Sequence, residues 1–169
     1  MEEILADVFM RVQDVFEHGD RKNAMRFLLE LAIESVPSES GSIYRSELST
    51  RHMFFMAATG PKAEQLLEMN PRIPVGTGLA GFTVEEGVAI AIGDAHRDPR
   101  FCRSISEKLG YECRSMITVP MQLEGQVMGA IQLINRKDGT SFTEADMSIL
   151  SYLAHEAAEY LRRRGDATV

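Results

Sequence analysis

Tryptophan is absent from the 169 residues, and only two cysteines, Cys102 and Cys113, are present. Two cysteines cannot make the disulfide framework of a small secreted domain, and reduced thiols in the cytoplasm are the default expectation. Basic charge is also scarce. A formal net charge of -7 argues against a nucleic-acid surface, because phosphate contacts need clustered Lys and Arg. The one basic run, Arg162-Arg163-Arg164, ends a predicted helix, where it complements the negative pole of the helix dipole. No apolar run approaches the ~18 residues of a membrane span. Met1-Glu2-Glu3 opens the chain without a basic segment and an apolar stretch behind it, so no signal peptide is expected. The histidines His18, His52, His96 and His155 share no metal-ligand spacing.

What remains is an ordinary globular composition, 44% hydrophobic and 25% charged, long enough to bury a core as one domain. Ten methionines give that interior adaptable, soft side chains, a hint of a ligand cavity.

The chain is organised around Pro74 to Asn135. Gly76-Thr77-Gly78-Leu79-Ala80-Gly81 matches the G-x-G-x-x-G spacing of dinucleotide sites. The proline-flanked Pro71-Arg72-Ile73-Pro74 before it cannot supply the buried parallel strand that such a site needs, and no repeated βαβ pattern follows. The glycines still allow a sharp turn and close backbone approach, and the helix opening near Leu79 presents free N–H groups. Ligand contact and a tight turn that serves only the fold both stay open.

Before this stretch, Ile4, Leu5, Val8, Phe9, Val12, Val15 and Phe16 recur at helical spacing. Gly19 is placed to end that helix and Asp20 to cap the next, which carries Ala24, Phe27, Leu28, Leu31 and Ala32 on one side and closes at Pro37 and Gly41. A hairpin is predicted from Ser42 to Thr59 around Leu48–Arg51, and a short helix within Pro61–Met69 with Leu66 and Leu67 facing in. Gly87 ends the helix of the glycine loop, and Val88–Ile92 reads as a short buried strand. Asp98-Pro99 reads as an N-cap and first position of a helix reaching Leu109. Ser115–Gln122 and Gln126–Asn135 form a second hairpin around Leu123-Glu124-Gly125. The final helix has the clearest start. Thr143 is the N-cap, Asp146 the N3 partner of a variant capping box, and Phe142 with Met147 a hydrophobic staple. Ala154, Ala157 and Ala158 would allow close helix approach, so the terminal helices are expected both to cover the sheet and to pair a homodimer.

At this point the chain resembles the GAF domain family, from about Arg21 to Arg164. The resemblance is carried by P-x-G-T-G-L-A-G with Gly87, by Asp94-Ala95-His96-Arg97-Asp98-Pro99-Arg100-Phe101, by R-S-M-I-T-V-P with Gly125 and Gly129, and by Asn135-Arg136 with Phe142 and Asp146. The last set is similar to the Asn-Lys-Phe-Asp-Glu signature of cyclic-nucleotide-binding members, with Arg136 for Lys and Met147 for Glu. The resemblance implies an α+β, GAF/PAS-like fold: an antiparallel sheet of about six strands, terminal helices on one face and a pocket on the other. It implies regulatory binding of a small molecule, such as a cyclic nucleotide, with output to a signalling protein in trans. The expected ligand contacts are Thr77, Gly78, Phe82, Asp94, Phe101, Cys102, Ser115, Met116 and Thr118. Arg136 is expected to pair with Asp146 as a structural bridge, and the domain is expected to stand without an output module of its own.

Two readings from other classes accompany this one. Some GAF-like proteins reduce free methionine sulfoxide with cysteines, which gives Cys102 and Cys113 a redox role. The third cysteine of that group is lacking, and Met116 stands where its acidic residue is expected. No cysteine-histidine neighbourhood for a bilin is present, and only His96 is placed to ligate a haem. The remaining reading is a dimerisation module whose pocket is filled by its own side chains.

Overall fold

The computed structural model describes residues 2–18 and 21–165. Gly19 and Asp20, marked in the sequence as a helix stop and a cap, lie outside the described residues. Helices α1 (Glu2–His18) and α2 (Arg21–Ser35) precede the hairpin β1 (Ser38–Glu47) and β2 (His52–Thr59). Then come α3 (Ala63–Met69), β3 (Ile73–Pro74), α4 (Gly78–Glu86), β4 (Ile90–Ile92), a 3-10 turn (Ala95–Arg97) and α5 (Arg103–Leu109). The hairpin β5 (Met116–Leu123) and β6 (Gln126–Arg136) and the helix α6 (Glu144–Arg163) complete the chain. The strands form one six-stranded sheet, ordered β3-β2-β1-β6-β5-β4 and antiparallel throughout.

The two faces of the sheet differ. One is sealed by α1, α2 and α6, whose Leu28, Leu29, Leu150 and Leu153 pack on Ile43, Ile117, Ile131 and Leu133. The three small residues Ala154, Ala157 and Ala158 are fully buried there, so the close approach they permit is to this chain's own elements. The other face is covered in pieces by α3, α4 and α5, with separate apolar clusters around Tyr44 and Leu66 and around Leu79 and Met116.

Local chemistry explains several boundaries. Thr143 Oγ1 accepts from the Asp146 N–H at 3.1 Å while the Asp146 carboxylate accepts from the Thr143 N–H at 2.8 Å, which completes the capping box of α6. Gly87 and Gly110 close α4 and α5 in the left-handed region. Glu124 and Gly125, both at positive φ, make the two-residue turn between β5 and β6. Other boundaries differ from the sequence reading. Gly41 lies inside β1, where an added Cβ would meet Leu133 and Leu29, so it serves packing and not a helix end. Asp98 does not start a helix. Its carboxylate instead binds the Arg100 N–H and guanidinium, which holds residues 98–102 as an irregular loop before α5. Val88 is exposed, and β4 is a three-residue edge. Leu66 faces in but Leu67 faces out, and Phe27 lies partly outside the core.

A buried amide joins the two hairpins. Asn135 is 1% exposed and sits at φ 58, a left-handed conformation that asparagine tolerates. Its Oδ1 accepts from the N–H groups of Arg114 (2.7 Å) and Ser115 (3.3 Å). Its Nδ2 donates to Glu39 Oε2 and to the Glu112 carbonyl, both at 2.8 Å. Both lone pairs and both N–H groups are therefore used. Arg136 beside it donates from Nε to Asp146 Oδ2 at 2.9 Å and also pairs with Asp138, which ties the end of β6 to the start of α6.

A Cβ at Gly129 would lie 2.0 Å from the Tyr44 carbonyl oxygen, which is backbone and cannot yield. Gly129→Ala is expected to cost about 3 kcal/mol by overpacking, read as a lowered urea midpoint. The Glu39 carboxyl is held below its ordinary range, chiefly by the Asn135 N–H and also by Arg114. A depressed folded pKa gives stability that is present above the unfolded value of about 4.3 and is lost as pH falls through the folded one. Urea midpoints measured down that acidic window should therefore decline less steeply in Glu39→Gln than in the parent. Equal slopes would show that Glu39 contributes nothing to the acid limb.

Candidate functional site

A cavity of about 260 Å³ opens between the piecewise-covered face of the sheet and the segments laid over it. Its floor is β1, β2 and β6, contributing Tyr44, Phe55 and Gln132. Its walls are α3, the chain from Pro71 to Ala80, and α5. The hollow arises because these helices are short. α3 and α5 have seven residues each, so neither spans the sheet. Only one face of each is apolar enough to dock, through Leu66 on α3 and Leu109 on α5.

The floor is polar at its centre. Tyr44 Oη donates to Gln132 Oε1 at 3.0 Å, and Gln132 Nε2 donates to Thr118 Oγ1 at 3.0 Å. Burial raises the Tyr44 pKa, so its hydroxyl stays a donor. Gln132 retains one N–H and one lone pair beyond these two bonds. The Tyr44 ring packs on Phe55 at 4.6 Å between centroids. At the wall, Tyr111 Oη accepts from Ser40 Oγ at 3.0 Å and donates to Glu39 Oε2 at 3.2 Å. The asparagine-bound carboxylate of the fold thus also fixes one wall of the cavity.

Charge at the cavity has one sign. Lys62, Arg72 and Lys108 line it, and no Asp or Glu does among the described residues. Arg72 Nη1 donates to Glu47 Oε2 at 3.1 Å, while no ion pair holds Lys62 or Lys108 among the described residues.

The nine ligand contacts expected from the sequence divide into two groups. Thr77, Gly78, Phe101, Cys102 and Met116 line the cavity. Phe82, Asp94, Ser115 and Thr118 do not. Phe82 packs beside Leu79 and Ile90 with the Arg100 guanidinium 5.1 Å from its ring centre. Asp94 caps the 3-10 turn, accepting from the His96 N–H at 3.2 Å. Ser115 Oγ accepts from the Arg136 N–H at 3.2 Å, behind the end of β6. Thr118 is fully buried opposite Gln132 in the ladder, so it orients the amide that faces the cavity. Sequence reading missed Lys62, Lys108, Arg72 and Gln132. Their shared feature is convergence from four separate segments, for which no local pattern exists.

Both cysteines lie at the cavity. Burial pushes the Cys113 thiol up to about 11. Cys102 is more exposed, with Sγ 3.3 Å from Ser104 Oγ. Among the described residues no three His, Cys, Asp or Glu side chains are grouped to hold a metal ion, and no helix is long and apolar enough to cross a membrane.

Comparison with known proteins places this architecture. The GAF domain of a phosphoenolpyruvate-protein phosphotransferase from Coxiella burnetii superposes with a TM-score of 0.83 at 20% identity, covering 96% of each chain. A free methionine-R-sulfoxide reductase from Thermoplasma acidophilum superposes with a TM-score of 0.69 at 20% identity, covering 85% of this chain and 93% of that one. In sequence, a dual 3',5'-cyclic-AMP and -GMP phosphodiesterase 11A from Takifugu rubripes is 36% identical over 81 residues, 47% of this chain and 9% of the relative. The chain spans a tenth or less of the curated relatives that lead the matches. The GAF domain family model matches residues 20–161, from α2 through the sheet to α6. The α+β order of elements, the six-stranded sheet and that match agree, and the chain belongs to the GAF domain family.

Proposed function

We propose that this domain is a regulatory receptor for a small organic anion, and that a cyclic nucleotide is the first such ligand to consider. The observation that carries the reading is the cavity's lining. Among the described residues, three cations and no carboxylate stand around an aromatic and aliphatic interior whose floor offers one amide for directional hydrogen bonds. An anion with a flat, partly apolar body meets all three features. Its charge would face Lys62, Lys108 and Arg72, and its ring would lie against Phe55 and Tyr44 over Gln132. The sequence relative described as acting on cyclic AMP and cyclic GMP favours that class. An open volume of about 260 Å³ also counts against a module that fills its pocket with its own side chains.

Burial weighs against Cys113 as a nucleophile, which leaves Cys102 as the thiol that a redox reading would need. The thiolate is the nucleophile in cysteine chemistry, and burial keeps Cys113 protonated at neutral pH. The structural likeness to a methionine sulfoxide reductase concerns the fold alone, at 20% identity.

The signal would leave through the terminal helices. α1 buries Val8 and Val12 inward but leaves Ile4, Phe9 and Met10 at 49%, 47% and 67% exposure. We infer that a second copy covers them, pairing the domain as a homodimer that a signalling partner reads in trans.

Two measurements test these statements. Cyclic GMP and cyclic AMP, each added at ~100 times its dissociation constant, should raise the melting temperature by about 5–10 °C. Lys62→Gln combined with Lys108→Gln should abolish most of that rise without lowering the melting temperature of the ligand-free protein. No shift with either nucleotide would overturn the cyclic-nucleotide reading. Sedimentation velocity at micromolar concentration should show a dimer that Phe9→Glu with Met10→Glu converts to monomer. A monomeric parent protein would refute the pairing.

A further inference from the structure

We propose that Arg72 is a shared arm, for which Glu47 and the bound anion compete, so that occupancy of the cavity is reported at the β1–β2 turn. This rests on the reading of the cavity as an anion receptor.

Of the three cations at the cavity, Arg72 alone among the described residues belongs to a carboxylate, Glu47 at the end of β1. The pair is built to be given up. It is a single contact, one N–H to one oxygen at 3.1 Å, and not the two-pronged arrangement that makes arginine–carboxylate pairs strong. The Arg72 side chain is 61% exposed, and exposed pairs contribute little. Nor does the carboxylate depend on it, because the Thr50 hydroxyl donates to the same Oε2. Release of Arg72 therefore leaves Glu47 with a hydrogen-bond partner.

The backbone around Arg72 confines any movement to the side chain. Ile73 and Pro74 pair with Met53 and His52 as β3, and the Val75 N–H donates to the Arg51 carbonyl at 2.9 Å. The arm pivots from a fixed base beside the cavity. A phosphate or carboxylate in the cavity offers the guanidinium two oxygens at once in a less solvated place, where Glu47 offers one. The competition thus favours the ligand.

Glu47 also lines a groove on the outer end of the sheet, together with Arg51, Val75 and Glu85. There Arg51 and Glu85 form a second exposed pair at 3.3 Å. Removing Arg72 from Glu47 leaves a net negative charge at the rim of this groove, beside the Thr50 hydroxyl and the Arg51 N–H that Glu47 still holds. The wall from Ile73 to Val75 separates the two places, so the cavity and the groove communicate through one side chain.

The experiment is an affinity cycle with cyclic GMP as probe, measured by isothermal titration on the parent, Glu47→Gln, Arg72→Gln and the double variant, each checked for an unchanged melting temperature. Glu47→Gln removes the competitor and should tighten binding by about three-fold, the scale of an exposed pair. Arg72→Gln should weaken binding by about ten-fold, the scale of a charge-assisted hydrogen bond. Glu47→Gln should have no effect in the Arg72→Gln background. Cyclic GMP should shift the Thr50 and Arg51 amide resonances of the parent and leave them in place in Arg72→Gln. Parent-like affinity in Glu47→Gln, or a tightening that survives loss of Arg72, overturns this inference and leaves the receptor reading intact. No binding in any variant overturns both.

Discussion

The four hydrogen bonds of Asn135 hold the architecture together at one point. They close the end of β6 onto β1 through Glu39 and onto the strap before β5 through Arg114 and Ser115. The β1–β6 ladder runs past this point, with Ser38 opposite Arg136 and Ser40 opposite Ile134, and the Asn135 N–H donates to the Ser115 carbonyl; the side chain adds the bonds to residues 112–115 that no ladder supplies. An aspartate at this place would lack the two N–H donors, and a glycine would keep the left-handed backbone but lose every bond. The same carboxylate that receives the amide also fixes Tyr111, so the sheet's closure and the cavity's wall share one anion.

The rest of the molecule divides its work between the faces of the sheet. Three long helices saturate one side with aliphatic contact and supply the stability. That leaves the opposite side free of the need to pack fully. Its helices are short, its clusters are two and not one, and the space between them is the site. A sheet can keep a hollow on one face when the opposite face supplies the cohesion.

Local chemistry was legible in the sequence where one segment decides it. The capping box at Thr143 and Asp146, the Glu124-Gly125 turn and the stop at Gly87 are each set by neighbours a few residues apart. Asp98 misled because an aspartate before a proline is a helix start only if its carboxylate is left to cap, and here Arg100 takes it. Gly41 misled because glycine reads as a helix stop, whereas this one makes room for Leu133. At the site, Thr77, Gly78, Phe101, Cys102 and Met116 lie on segments already marked by glycine and proline punctuation. Lys62 and Lys108 resemble any solvated lysine until the fold brings α3 and α5 to one rim. Thr118 lies on the strand that the sequence predicts but one layer deeper than a ligand contact, behind the amide it orients.

The sheet ends on one side in the two residues of β3 and on the other in the three residues of β4. β3 pairs only His52 and Met53 of β2, and β4 only Met116, Ile117 and Thr118 of β5, so the lengths of edge without a strand neighbour lie on β2 and β5 and not on the stubs. A further strand joining this sheet would meet the rest of β2 or of β5 beyond the stubs, while the order β3-β2-β1-β6-β5-β4 keeps β1 and β6 paired on both sides.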